Sequence, residues 1–283
     1  MKIPTFRKIL YPIEFAVYIT LFIISLLNIF GYVGIYSYVQ AKTVAITSGV
    51  GSVVILLPGI VELISKKKVS PFIDILLCVD FFCSIFLGEG CQVYLNFVGW
   101  DKILHFFGTA ELSLLGYVLA KMLLDRLQPS DEKRKNKNIL ALFFGFFFSV
   151  TFESMWEVYE FTMDSTLGTN MQKYVPESYY DLISMDGILN MPDDEIVAFF
   201  STSDGYTYAL QDTMFDIITD VGGGLFGCLT SGIVFHFKPE WQDNLIFIRE
   251  TEETDETALA VVNDISDPLE NNEDKHDGKD DLD

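Results

Sequence analysis

Three stretches of the sequence carry acidic side chains at helical spacing: Asp101 with His105, then Glu153 with Glu157 and Glu160, then Asp212 with Asp216 and Asp220. Residues three and four apart share one face of a helix. Each set therefore makes one polar stripe, and three such stripes can face a common interior. Hard carboxylate oxygens with one imidazole suit a divalent cation such as Mg, Mn, Ca, Zn or iron. The same groups suit a proton or ion route across a membrane. They also suit a hydrogen-bonded network that only holds helices together, or caps at helix ends. Of the acids, Asp101 and Asp212 are the best placed to act as N-caps, because each opens a predicted span.

The elements that carry these stripes are read from hydropathy. Half of the 283 residues are hydrophobic, 25 are Phe, and mean hydropathy is +0.30. Long apolar runs recur where a water-soluble chain would show amphipathic periodicity. About 20 helical residues cross the hydrocarbon core, so runs of about 18 or more are read as spans. Six are predicted, at 10–30, 43–64, 72–90, 103–124, 138–161 and 212–236. The runs are twice the length of a barrel strand and do not alternate, so the fold class is all-α: a polytopic transmembrane helical bundle. Pro58 predicts a kink in the second span. The small-xxx-small pair Gly223 and Gly227 predicts close helix approach in the sixth.

Basic residues set the orientation. Lys2, Arg7 and Lys8 precede the first span, Lys66–Lys68 follow the second, Arg126 to Lys137 lie between the fourth and fifth, and Lys238 follows the sixth. With six spans these fall on one side, which predicts two cytoplasmic termini and a multi-pass protein of the cell (cytoplasmic) membrane. The three acidic stripes then face outward. The connection 162–211 becomes an external loop, and its many aromatics predict an interfacial cap.

Membrane depth turns the stripes into an energetic problem. Glu153 lies eight residues before the predicted end of its span, about 12 Å along the helix. An unpaired carboxylate near a bilayer centre costs about 2.5–3.5 kcal/mol on insertion scales. Several would together match a whole domain's stability of about 5–15 kcal/mol. Lys102 and a protonated His105 supply two positive charges. Protonation or bound cations must supply the rest. The predicted ligand set is His105, Glu153, Glu157, Asp212 and Asp216 around a divalent metal ion. His105 and Glu157 are the candidate catalytic groups, and Asp101, Lys102, Glu160 and Asp220 form a supporting ring.

Other features narrow the function. His236 and His276 lie at or beyond the cytoplasmic end, which excludes a three-histidine zinc centre. The chain contains no GxSxG, HExxH or P-loop pattern. Cys78, Cys83, Cys91 and Cys228 make no CxxC and are read as small packing residues. Asp80 and Glu111 are isolated intramembrane acids. Glu89 and Gln92 sit where they can join the rim of the site. Residues 1–240 form the transmembrane domain and 241–283 an acidic cytoplasmic tail. From Glu250 onward 14 acids face only Lys275 and Lys279, more than half of the chain's net charge of −21. The tail's composition predicts disorder. The charge sign disfavours nucleic acid, leaving the lipid bilayer and a lipid-linked substrate as the expected partners.

Three blocks in order carry a family resemblance: Asp101-x3-His105-x2-Gly108, Glu153-x3-Glu157 among aromatics, and Asp212-Thr213-x2-Asp216 before a glycine-rich run. Together they resemble the YjdF-like bacterial inner-membrane proteins over about 100–225. Lys102, the position of Trp156 before Glu157, and Gln211 depart from that family's pattern. The first block is also similar to an Asp-Lys-x-x-His-Phe segment of VanZ-like proteins. The resemblance implies a bacterial inner-membrane protein and supports the site, while leaving its reaction open. Three functions follow as expectations: a metal-dependent membrane enzyme acting on a lipid-linked or phosphorylated substrate, a proton- or cation-coupled transporter, and a non-catalytic scaffold.

Overall fold

In the computed structural model, residues 5–97, 99–127, 134–172, 203–239, 241 and 245–246 are described. The tail beyond 246 and residues 173–202 of the predicted external loop lie outside the described residues. The described residues are helical, with no strand among them. They form α1 (Thr5–Ile29), α2 (Tyr38–Val54), α3 (Leu57–Ser65), α4 (Pro71–Phe81), a π-helical segment (Phe82–Gly90), α5 (Val93–Asn96), α6 (Trp100–Leu127), α7 (Arg134–Leu167) and α8 (Ser203–Phe237).

Six helical stretches among them are long and apolar enough to cross a membrane: Lys8–Ile29, Tyr38–Ser65, Pro71–Gly90, Trp100–Leu127, Lys137–Leu167 and Ala209–Phe237. The second breaks between α2 and α3 with Pro58 in the first turn of α3, because proline cannot donate to the ladder and is tolerated where a helix starts. The last two extend further than hydropathy predicts. Polar residues end an apolar run, but they do not end a helix whose polar face is buried. Asp212, expected as a cap, therefore sits well inside α8, where a capping role is geometrically excluded. Glu153 lies close to the midpoint of Lys137–Leu167, deeper than predicted.

α6, α7 and α8 pack on one another, while α1 pairs with α2 and both meet the π-helical segment. Each helix of the C-terminal trio buries one continuous stripe. On α6 it runs His105, Thr109, Ser113, Gly116, Ala120. On α7 it runs Ala141, Gly145, Ser149, Glu157, Glu160, Asp164, and on α8 Asp216, Asp220, Gly223, Gly227, Ser231, Phe235. The α7 and α8 stripes are acidic at one end, where that of α6 has His105, and all three are small in the middle and apolar at the other end. The small middle permits backbone contact: a Cβ at Gly227 would lie 2.5 Å from the Ala110 carbonyl oxygen, and one at Gly223 would collide with that of Phe106.

Burial is inverted relative to a water-soluble protein. Ile218, Phe215, Leu229, Phe147 and Val158 point outward, while Asp74, Ser113, Asp216 and Asp220 are enclosed. An apolar exterior around a polar interior is the arrangement that a hydrocarbon solvent demands.

Candidate functional site

His105 is the hub. One turn into α6, it presents both ring nitrogens to carboxylates from all three helices. Nε2 lies 3.7 Å from Asp216 Oδ1, 3.8 Å from Glu157 Oε1 and 3.9 Å from Asp101 Oδ1. Nδ1 lies 3.2 Å from Asp220 Oδ1 and 3.9 Å from Glu153 Oε2. Asp220 Oδ1 is also 2.8 Å from the Thr109 hydroxyl, which lies 2.6 Å from the His105 carbonyl. In the neutral tautomer that donates from Nδ1 to Asp220, Nε2 is the nitrogen left facing Asp101, Glu157 and Asp216.

Lys102, the next residue but two before His105, points to the outer end of the same cluster. Its Nζ lies 2.7 Å from Asp212 Oδ1, 3.2 Å from Asp101 Oδ2 and 2.6 Å from Asp216 Oδ1. The Asp216 contact is close but off the line of a hydrogen bond, and both Asp216 oxygens lack a hydrogen-bond partner. The same is true of both Glu157 oxygens, Asp212 Oδ2 and Asp220 Oδ2. These are enclosed groups: Asp216, Asp220, Glu157 and His105 are 0, 1, 4 and 7% exposed. Buried polar atoms are normally paired, and an orphaned carboxylate oxygen costs more than an orphaned amide.

Two ligand sets converge within metal-binding reach: Asp101, His105 and Asp216 on the Nε2 side, and His105, Glu153 and Asp220 on the Nδ1 side. The predicted residues thus divide. His105, Glu153, Glu157 and Asp216 come together with Asp101 and Asp220, which had been expected only as support. Asp212 is held by Lys102 at the edge. Glu160 accepts from the Trp156 indole at 2.9 Å. Gly108 leaves room for the Glu153 carboxylate, since a Cβ there would sit 3.4 Å from Oε1. Glu89, expected at the rim, accepts from Gln40 at 2.8 Å.

The described start of the predicted cap is anchored in a way that hydropathy does not show. Residues 168–172 follow α7 and fold under its end. The Asp164 carboxylate accepts from the Thr169 hydroxyl at 2.6 Å and from the backbone N–H groups of Met171 and Gln172 at 2.7 and 2.9 Å. Lys42 donates to the Leu167 carbonyl at 2.6 Å, and Gln172 donates to Thr213 at 2.9 Å. Thr169, Asn170, Met171 and Gln172 are all buried. The signal was present in the sequence, because Asp164 continues the Glu153, Glu157, Glu160 stripe, and Thr109 continues that of His105.

Residues 18–237 match the family described as "Predicted membrane protein (DUF2238)". The chain belongs to this family. The match spans the first transmembrane helix to the end of α8 and so includes every residue of the site. An uncharacterized protein of Thermotoga maritima is 27% identical over 154 residues, covering 53% of this chain and 74% of that protein. No solved structure matches. The family is one of membrane proteins, and its description assigns no activity.

Proposed function

We propose that this is a multi-pass protein of a bacterial cytoplasmic membrane whose acid–histidine site is an outward-facing divalent-metal centre, and that it hydrolyses a lipid-linked or phosphorylated substrate. One observation carries the metal reading: carboxylate oxygens of Asp216, Glu157 and Asp101, from three different helices, converge on His105 Nε2 at 3.7, 3.8 and 3.9 Å. Six carboxylates surround Lys102 and His105; in their ionised form they outnumber those two cations, a difference that a bound divalent cation would offset. Asp101, His105 and Asp216 are the ligands of this reading, with Asp220 and Thr109 orienting the imidazole.

A divalent cation held there would polarise a phosphoryl oxygen and lower the pKa of bound water. Glu157 Oε1 lies 3.8 Å from His105 Nε2 and reaches the same space, which suits it to take the proton from that water. The outward orientation is supported by Lys66, Lys67, Lys68, Arg126, Lys137 and Lys238, all at the opposite end of the spans. That orientation gives cytoplasmic termini. The finer family reading, as a YjdF-like protein, rests on the order of the three sequence blocks.

The enzyme reading is favoured over a transporter by what lies beneath the site. Tyr117, Val118, Ala120, Ala141 and Phe235 form an apolar cluster between the site and the basic end of the trio. A conducting path would need polar groups there.

The test is hydrolysis of a long-chain alkyl phosphate by the purified protein with Mn²⁺, read as released inorganic phosphate. The expected result is turnover that stops with a chelator and falls by about 10²–10⁴ in Glu157→Gln. Absence of turnover with metal bound, or wild-type rates in the variant, rejects the hydrolase.

A further inference from the structure

A cavity of about 300 Å³ adjoins the site on the side of the N-terminal helices. His105 and Gly108 of α6 and Glu153 of α7 line it, and so does Asp80 of α4. Its acidic lining also includes Glu89, Asp101 and Glu160, and no Lys or Arg lines it among the described residues. Val50, Val54, Leu104 and Leu112 make it apolar elsewhere, and Phe81, Trp156 and Tyr159 add aromatic surface.

Asp80 is the informative member. It lies within the third span, and among the described residues it has neither a hydrogen-bond nor an ion-pair partner. It takes no part in the metal-ligand sets around His105. Glu111 of α6, a second intramembrane acid outside the site, interacts with it electrostatically, as do His105 and Glu153 from the centre. The His105 imidazole is thus the one basic group acting on these acids among the described residues. A bare metal ion at Asp80 would lack converging ligands, and a cavity this large with aromatic walls fits an organic group better. Negative side chains and aromatic faces together recognise organic cations. Apolar walls within a bilayer recognise a hydrocarbon chain.

We infer that this cavity receives the amine-bearing head of an amphiphile, with Asp80 as its counter-ion. The inference rests on reading the neighbouring centre as a substrate site, and it names the class of substrate: a lipid whose headgroup carries a primary or quaternary amine. Such a head can span from Asp80 to the acid–histidine centre, which lines the same space.

Trp156 reports the occupant directly. The full chain in lipid nanodiscs, with Trp100→Phe and Trp241→Phe leaving Trp156 alone, is titrated with brominated long-chain alkylamine, alcohol and carboxylate. The expected result is saturable quenching by the amine at a concentration about tenfold below that needed for the alcohol, with the carboxylate weakest. Asp80→Asn should remove that preference and Asp80→Glu should restore it. The three-tryptophan protein should give the same ordering, so a poorly folded single-Trp variant does not decide the matter. Equal quenching by all three amphiphiles, or an Asp80→Asn response equal to wild type, overturns the inference. Metal content of the same samples reports separately on the centre: loss of amine preference with metal retained refutes the cavity assignment alone, and amine preference without metal refutes the metal reading alone.

Discussion

His105 Nδ1 and Asp220 Oδ1 lie 3.2 Å apart, joining the first turns of α6 to the middle of α8 across the bundle interior. The contact does two things. It links two spans through a buried polar pair, and it orients the imidazole so that Nε2 faces Asp101, Glu157 and Asp216. Carboxylate partners of this kind tune ligand affinity about 10–100-fold in metal sites. Asp220→Asn should therefore weaken Mn²⁺ binding by about that factor while the protein stays folded, because Asn can still accept from Thr109. Equilibrium dialysis checks this, and unchanged affinity would remove Asp220 from any orienting role.

Lys102 and a divalent cation compete for the same acids. Lys102→Met removes the ammonium from Asp101, Asp212 and Asp216. The cation-free protein should melt earlier, because a buried charge cluster loses its counter-ion. Its cation affinity should rise, and added Mn²⁺ should recover the lost melting temperature by linkage. A variant that binds Mn²⁺ more weakly than wild type would contradict this competition.

The glycine pair on α8 is a packing requirement. Gly227→Leu puts a side chain where Cβ alone meets the Ala110 backbone, and should cost about 1–3 kcal/mol or more. Gly59→Ala on α3, with open space around its Cβ, should be neutral or slightly stabilising. Thermal melts in one detergent compare the two. Equal effects would mean that α6 and α8 are not in backbone contact.

Much of this was legible in the sequence. The six spans follow from apolar length, and the stripes follow from spacing by three and four, because a helix converts spacing directly into direction. The residues that needed the fold are those whose partners are distant in sequence. Lys102 looked like a generic counter-charge, and only the packing of α6 on α8 gives it to Asp212 and Asp216. Asp101 looked peripheral because hydropathy starts the fourth span at 103, and burial of one helix face moves that end outward; Asp220 already lies deep in its predicted span, and only the packing of α6 on α8 brings it to His105. The segment 168–172 falls within the connection whose aromatics predict an interfacial cap, but its anchor is not visible there. Its polar groups are satisfied by Asp164, a partner that hydropathy does not see.

That covering segment hangs on one carboxylate. Asp164→Ala removes three hydrogen bonds and leaves two backbone N–H groups without a partner, a loss of roughly 1–3 kcal/mol or more. Limited proteolysis should then cut within 168–172 at protease concentrations that leave wild type intact. Equal resistance would show that Lys42 and Thr213 hold the segment without it.

The metal centre itself is tested most directly by the divalent metal bound per chain, measured by elemental analysis after equilibration with Mn²⁺ and removal of free ion. The expected result is one equivalent in wild type, lost in Glu157→Gln combined with Asp216→Asn and retained in the distant variant Gly59→Ala. Wild-type protein that is folded and carries no stoichiometric metal, or a double variant that keeps it, would contradict the centre built on His105.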